Sequence, residues 1–187
     1  MVRPELEELF TERLRLRRYS QSDVEKVYRL ISDPHVMRFF PPIADRRERA
    51  QKMIDYNLQS YETFGYSVLA VERRSDGVYL GQIGLLHWDD VDGREDVEVA
   101  YILAAEAWGN GYATEAARAC RDWAFERLSV DRVVSFIALA NEPSIRVAER
   151  NGMKRIKRLD VNRFEIPIYV YAIERGEWES ARGTQLL

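Results

Sequence analysis

The junction ILAAEAWGNGYATEAARA, Ile102 to Ala119, constrains the fold more than any other stretch. An apolar, strand-like run passes through Trp108-Gly109-Asn110-Gly111 into an alanine-rich helical pattern, with no proline between them. A strand that turns straight into a helix leaves the first N–H groups of that helix without intrahelical partners. The helix dipole adds partial positive charge at the same point, so the junction is built to receive an anion. Glycines at positions 109 and 111 let a phosphate approach the main chain and tolerate a turn with positive φ.

The rest of the chain reads as strands and helices around that junction. Leu14, Leu16 and Tyr19 alternate with arginines in ERLRLRRY, the pattern of a half-buried strand. Ser20 and Ser22 offer N-caps for a helix through Ile31, with Val24, Val27, Tyr28 and Ile31 facing inward and Asp33-Pro34 stopping it. Residues 44–63 carry Ala50, Met53, Ile54, Leu58 and Tyr61 at helical spacing, closed by Phe64-Gly65. YSVLAVERR and VYLGQIGLLHW flank Ser75-Asp76-Gly77 as a hairpin, and Gly81 and Gly84 imply a bulge or a close backbone approach.

After a polar loop, DDVDGRED, come a fourth strand (Val97 to Leu103) and a helix from Gly111 to Leu128. The apolar strand RVVSFIAL and a short helix from Asn141 to Asn151, ended by Gly152, follow. The segment from Met153 to Trp178 reads as two more strands, with Pro167 pointing to an edge or a bulge in the last. The expected fold is α/β (α+β): one domain over residues 1–187, with a mixed, mostly antiparallel sheet of about seven strands and about four helices on its faces.

Composition narrows the function. Lys and Arg total 28 against 31 Asp and Glu, so no global basic field draws nucleic acid, and the arginines of LRLRRY and Lys154 to Arg158 read as solvated strand faces. Cys120 is the single cysteine, which removes any intrachain disulfide framework and any zinc site built on cysteines. His35 and His87 lack partners at metal-ligand spacing, so no metal is expected, although His87 at a strand end can reach toward a substrate. The charged start MVRPELEELFTERLRLRRY does not read as a secretion signal, and no apolar run reaches membrane-spanning length. The expectation is a cytoplasmic protein with no membrane association.

Three nucleotide readings compete at the glycine pair. A P-loop needs Gly-Lys-Ser/Thr where this helix opens Gly111-Tyr112-Ala113-Thr114. A dinucleotide fingerprint needs a third glycine at Thr114 and an acid at the far end of the next strand, whereas Asp131 precedes that strand. What remains is a diphosphate held by backbone alone. Here the sequence resembles the GCN5-related N-acetyltransferases, whose motif Q/R-x-x-G-x-G/A aligns with Glu106-Ala107-Trp108-Gly109-Asn110-Gly111. WGNGYATEA is most similar to the branch that acetylates N-terminal amines of ribosomal proteins. Upstream, DVEVAYIL looks like the family's fourth strand. Downstream, Asn141-Glu142-Pro143-Ser144 through Asn151-Gly152-Met153 looks like its second cofactor motif.

The resemblance implies acetyl-CoA as donor, with coenzyme A held by Trp108, Gly109, Asn110, Gly111, Tyr112, Ala113 and Thr114. It also implies a V between the fourth and fifth strands, where Ile102 and Leu103 supply backbone to the pantetheine arm and the thioester oxygen. Two departures stand out: Glu106 replaces a polar or basic residue, so it must point outward, and Ala148 occupies the position where the family often carries an acidic tyrosine. Glu98, on the same strand face as Ala100 and Ile102, is the expected base, against a plain arginine-paired carboxylate. Ser144 is the substitute acid, against a helix-capping serine, and Asn141 contacts the pantetheine amide, against a simple N-cap.

The implied reaction is direct attack of a primary amine, with no acetyl-enzyme, since a helix-buried Cys120 is a poor nucleophile. The implied acceptor is a protein N-terminal α-amine, with a polyamine or an amino sugar as the alternative and a non-catalytic coenzyme A-binding module as the competing class. Loops Val36 to Ile43 and Trp88 to Asp96 are expected to shape the acceptor site, with Asp89, Asp90 and Asp92 near a cationic substrate. The branch is also compatible with a homodimer formed through an exposed strand.

Overall fold

The computed structural model describes residues 3–90, 93–160 and 165–183. Its centre is one eight-stranded sheet. In chain order the elements are β1 (Glu8–Phe10), β2 (Leu14–Arg17), α1 (Val24–Ser32), α2 (Pro34–Met37), α3 (Arg46–Phe64), β3 (Val68–Arg73), β4 (Tyr79–Trp88) and β5 (Asp96–Leu103). There follow α4 (Tyr112–Arg127), β6 (Arg132–Ala138), α5 (Glu142–Arg150), β7 (Lys154–Leu159), β8 (Ile168–Glu174) and α6 (Arg175–Gly183). The sheet order is β1-β2-β3-β4-β5-β6-β8-β7, antiparallel except for the β5–β6 pair. No described helix is long and apolar enough to cross a membrane.

Three elements escape the sequence reading. β1 is a three-residue edge strand, too short for periodicity to register. α2 begins where Asp33-Pro34 reads as a stop. The Asp33 carboxylate accepts His35 N–H at 2.8 Å and the proline occupies the first turn, where its missing N–H costs nothing. α6 follows directly on β8, and its Trp178 stacks on Phe125 at 5.0 Å and donates to Asp122. The expected helix from Ser20 starts as a 3₁₀ turn over Gln21–Asp23 before α1. Pro167 also reads differently in three dimensions. It precedes β8, which is an interior strand, and the bulge lies in β7 at Arg155/Lys157.

Both faces of the sheet are covered. α1 and α3 pack Val27, Ile31, Ala50 and Ile54 over Val68 and Ala70. On the other face α4 presses Ala116, Ala117, Cys120 and Ala124 against Leu69, Ile83, Val97 and Val99. Small residues on α4 bring helix and sheet close together. The Gly81 and Gly84 expectations both hold: register shifts beside Gly81, where a Cβ would stand 2.3 Å from the Ile102 carbonyl oxygen, and a Cβ at Gly84 would stand 2.4 Å from Val68 Cα.

β5 and β6 pair over only two positions, Val97↔Val133 and Glu98↔Val134, before they part. At the base of this V, Arg132 grips Asp96 with two bonds of 2.7 and 2.6 Å, both side chains buried. That fork fixes where the strands meet. Above it they diverge, and the opening is the site.

Candidate active site

Glu98 stands at the fork of the V. Its Oε1 accepts the Phe136 N–H of β6 at 3.2 Å, in the position where a continued ladder would offer a β5 carbonyl, and its Oε2 accepts the Trp88 indole N–H at 2.7 Å. The side chain is 7% exposed, and burial raises its pKa to about 7 against the opposing pull of those two donors. Among the described residues its partners are this indole and this main-chain N–H, not the arginine of the bland expectation. Trp88, which the sequence places only at the start of an acceptor-shaping loop, is therefore bound to the candidate base itself. An indole N–H needs a partner when buried, but sequence gives no sign of which one.

Two clefts meet at the opening. The first, about 470 Å³, is lined by Tyr101, Ile102, Leu103, Trp108, Gly109, Gly111, Tyr112, Ala113, Thr114, Asn141 and Ser144. The second, about 720 Å³, is lined by Glu98, Ala100, Trp88 and Phe136 and by Phe39 to Ile43 from the α2–α3 loop. Phe39, Phe40, Tyr101, Ile102, Asn141 and Ser144 border both. Of the residues expected to hold coenzyme A, the side chain of Asn110 turns elsewhere. Its amide donates to the Ala107 and Trp108 carbonyls and shapes the loop.

The turn has the conformation that the glycine pair implies. Gly109 and Gly111 have φ of 78° and 79°, and Gly111 caps α4 with no side-chain acceptor for the first-turn N–H groups. A Cβ at Gly109 would meet nothing of the protein within 4 Å, so the space beside it is free for a ligand. This cradle fits a diphosphate held by main-chain N–H groups. Glu106 is exposed and outside the cleft lining, as the resemblance requires.

The loop is braced from the far end of the sheet by a residue that sequence reasoning missed. Arg13 donates to the Asn110 carbonyl at 3.0 Å, stacks over the Tyr112 ring at 4.7 Å and pairs with Glu115 at 2.6 Å. Glu115 in turn accepts from Thr11 and from the Arg13 N–H. Nothing local in ERLRLRR marks Arg13, because its partners lie about a hundred residues away.

Ladder alternation assigns the free backbone in β5. Ala104 N–H donates to Leu80 at 2.9 Å, so the even-numbered residues face β4, including Ile102 opposite Gln82. Tyr101 and Leu103 face the opening, so Tyr101 rather than Ile102 joins Leu103 in presenting N–H there. Leu103 carbonyl is taken by the Trp108 indole at 2.9 Å. The expected role of Ile102 narrows to its side chain.

Asn141 does cap α5, its Oδ1 accepting Ser144 N–H at 3.3 Å. Its Nδ2 makes no bond among the described residues and borders both clefts. Ser144 Oγ caps no helix N–H, and Ser144 carbonyl accepts the Tyr101 hydroxyl at 2.8 Å. Burial and the nearby Glu98 charge hold the Tyr101 phenol above its ordinary pKa, so it stays protonated. Ala148 is buried in the core, where a tyrosine ring has no room.

Other expectations move away from the site. His87 faces the opposite side of the sheet from Leu86 and Trp88, stacked on Phe64 at 4.1 Å and within 3.1 Å of Asp89, so it does not reach the cleft. Asp90 caps the Gly93 N–H, and Asp92 lies outside the described residues. Burial pushes the Cys120 thiol up to about 12. Among the described residues no group of three or more His, Cys, Asp or Glu side chains gathers for a metal.

The family described as the acetyltransferase (GNAT) domain matches residues 13–154, from the clamp arginine through α5. The chain is a GNAT acetyltransferase. It is 34% identical over 164 residues to the uncharacterized protein YkkB of Bacillus subtilis (strain 168), covering 87% of this chain and 93% of that one. The crystal structure of an acetyltransferase from Agrobacterium tumefaciens superposes with a TM-score of 0.77 at 28% identity, over 93% of this GNAT chain and 98% of the other. RimL, a ribosomal L7/L12 alpha-N-protein acetyltransferase solved in complex with coenzyme A, shares the fold at a TM-score of 0.71 and 15% identity, covering 90% and 98%. The splayed strands and the glycine turn thus belong to an enzyme that transfers an acyl group to nitrogen.

Proposed function

We propose that the protein is an acetyl-CoA-dependent N-acetyltransferase that passes the acetyl group directly to a primary amine, a protein N-terminal α-amine. The donor supplies an activated acetyl thioester; the chain supplies everything else. The observation that carries the reading is a buried carboxylate at the fork of a V, in the lining of a cleft walled by apolar side chains that adjoins a second cleft with a main-chain anion cradle. This arrangement favours turnover over a non-catalytic coenzyme A-binding module, which has no use for a buried acid that titrates near neutrality.

Within this geometry Glu98 takes the proton from the acceptor ammonium, directly or through one water. Each carboxylate oxygen keeps a lone pair beyond the one bound to Trp88 or Phe136. The freed amine attacks the thioester carbonyl. The Tyr101 and Leu103 N–H groups stabilise the charge that develops on its oxygen. The C–S bond breaks as the Ser144 hydroxyl gives its proton to the departing sulfur, and the second proton of the attacking nitrogen passes through water to the Ser144 oxygen, leaving a neutral amide and a free thiol. Asn141 Nδ2 and the N–H groups from Gly111 to Thr114 fix the donor. A Cys120 thiol held near 12 inside α4 is no nucleophile, consistent with direct transfer. The name of RimL, an alpha-N-protein acetyltransferase, supports the choice of acceptor.

The test is release of free thiol from acetyl-CoA across a panel of peptides, polyamines and aminoglycosides, alongside calorimetry of coenzyme A binding. Acetylation of peptide α-amines is the expected result. Tight coenzyme A binding with no acetylation of any amine overturns the reading.

A further inference from the structure

The acceptor cleft holds a polar group that the mechanism does not use. Gln82, in the middle of β4, is 5% exposed and lines the 720 Å³ cleft. Its Oε1 accepts the Tyr19 hydroxyl at 3.3 Å, and Tyr19 is tied to Tyr79 at 2.7 Å. Among the described residues nothing accepts from Gln82 Nε2. The amide nitrogen is not sealed in the core but reachable from the cleft, so a ligand or water there can accept its hydrogen bond. Gln82 shares a sheet face with Glu98, since Gln82 pairs with Ile102 and Leu86 with Glu98, and Val68 and Ala100 also line the cleft between them.

The walls narrow the acceptor further. Met37, Phe39, Pro42, Ile43, Met53 and Phe136 surround this floor. Among the described residues Glu98 is the only buried charge in the lining. The charged residues at the rim are exposed and of both signs, with Glu48 already paired to Lys52 at 2.6 Å and Asp45 spent on capping α3. Glu165, the remaining carboxylate of the lining, is exposed at the rim, so a second cation drawn below the rim meets no second buried anion, and its desolvation is uncompensated.

Resting on the acetyltransferase reading above, we infer that the acceptor is a peptide whose N-terminal residues are apolar. In this complex Gln82 Nε2 donates to a backbone carbonyl oxygen of that peptide. Polycationic amines find no second carboxylate below the rim, and simple alkylamines lack the carbonyl.

The experiment compares kcat/KM for tetrapeptide amides with an apolar first residue, for phenethylamine and for spermidine, in the native chain, Gln82→Met and Tyr19→Phe. The native chain prefers the apolar peptides. Gln82→Met lowers the ratio of peptide to phenethylamine kcat/KM about tenfold, the loss of one buried hydrogen bond. Coenzyme A affinity by calorimetry stays within twofold, which also reports an intact fold. Tyr19→Phe removes the contacts behind the amide, to Gln82 Oε1 and to the Tyr79 hydroxyl, and leaves that ratio within twofold.

An unchanged ratio in Gln82→Met, or an equal fall in Tyr19→Phe, overturns the role of Gln82. Spermidine used better than any peptide overturns the acceptor class while the acetyltransferase reading stands. No amine acetylated despite coenzyme A binding overturns both.

Discussion

The Phe136 main-chain N–H of β6 donates to the Glu98 side chain at 3.2 Å, in place of a main-chain carbonyl of β5. One substitution of a side-chain acceptor for a backbone acceptor does two things at once. It satisfies a strand N–H that the splay would orphan, and it holds a carboxylate in the lining of the second cleft. The structural defect and the candidate base are the same feature.

Glu98 sets the expected pH dependence. As a base it works deprotonated, so kcat/KM rises with pH and levels off above about 7, where the raised pKa lies. Glu98→Gln loses that slope and falls roughly 10²- to 10³-fold in kcat. Stability runs the other way. The folded pKa lies above the ordinary 4.5, so the stabilising effect of the proton is complete below 4.5 and is lost as pH climbs to about 7. Thermal unfolding of the native chain between pH 4.5 and 7 therefore shows a decline that Glu98→Gln lacks.

The glycine turn separates strain from ligand exclusion. Gly109→Ala places a Cβ at φ 78° with nothing of the protein within 4 Å, so it loses only about 1–2 kcal/mol of stability by chemical denaturation. Calorimetry shows a fall in coenzyme A affinity of more than about tenfold, beyond what strain in the free protein explains. Undiminished affinity in Gly109→Ala or Gly111→Glu refutes the cradle.

Arg13 and Glu115 position the cofactor loop rather than touch the chemistry. Glu115→Gln weakens the pair to Arg13 that braces the Asn110 carbonyl. The KM for acetyl-CoA rises about fivefold while kcat holds, because a looser loop costs binding more than barrier height. Global stability moves by less than about 1 kcal/mol, as the Arg13 side chain is half exposed. A fall in kcat at unchanged KM contradicts a positioning role.

The Asp96–Arg132 fork governs the base of the V. Arg132→Met strands a buried carboxylate and destabilises the fold by about 3–5 kcal/mol in urea titration. Asp96→Leu combined with Arg132→Met recovers most of that loss, because two apolar side chains leave no buried charge. Activity in the double variant stays low, since the fork no longer sets where β5 and β6 diverge.

What could be read from the residues in order was whatever depends on near neighbours. The alternation in β2 to β6, the stripe on α3 and the glycine pair ahead of α4 all state their geometry within a few positions, and they sufficed for the sheet, most helices and the family. The three-residue β1 and the four-residue, proline-started α2 were lost because short elements carry too few residues to show a period, whereas α6 runs on directly from β8 and buries only Trp178, so it shows no apolar stripe.

Partnership across the fold was decided only in three dimensions. Trp88 on Glu98, Arg13 on the glycine loop, Gln82 over the cleft floor and the choice of Tyr101 over Ile102 each depend on register and on which side of a strand faces the gap. Hydrogen bonds and burial act through space over a few ångströms, whereas the chain orders residues by bonds. Separations of 10 to about 100 positions therefore leave no local trace in the sequence.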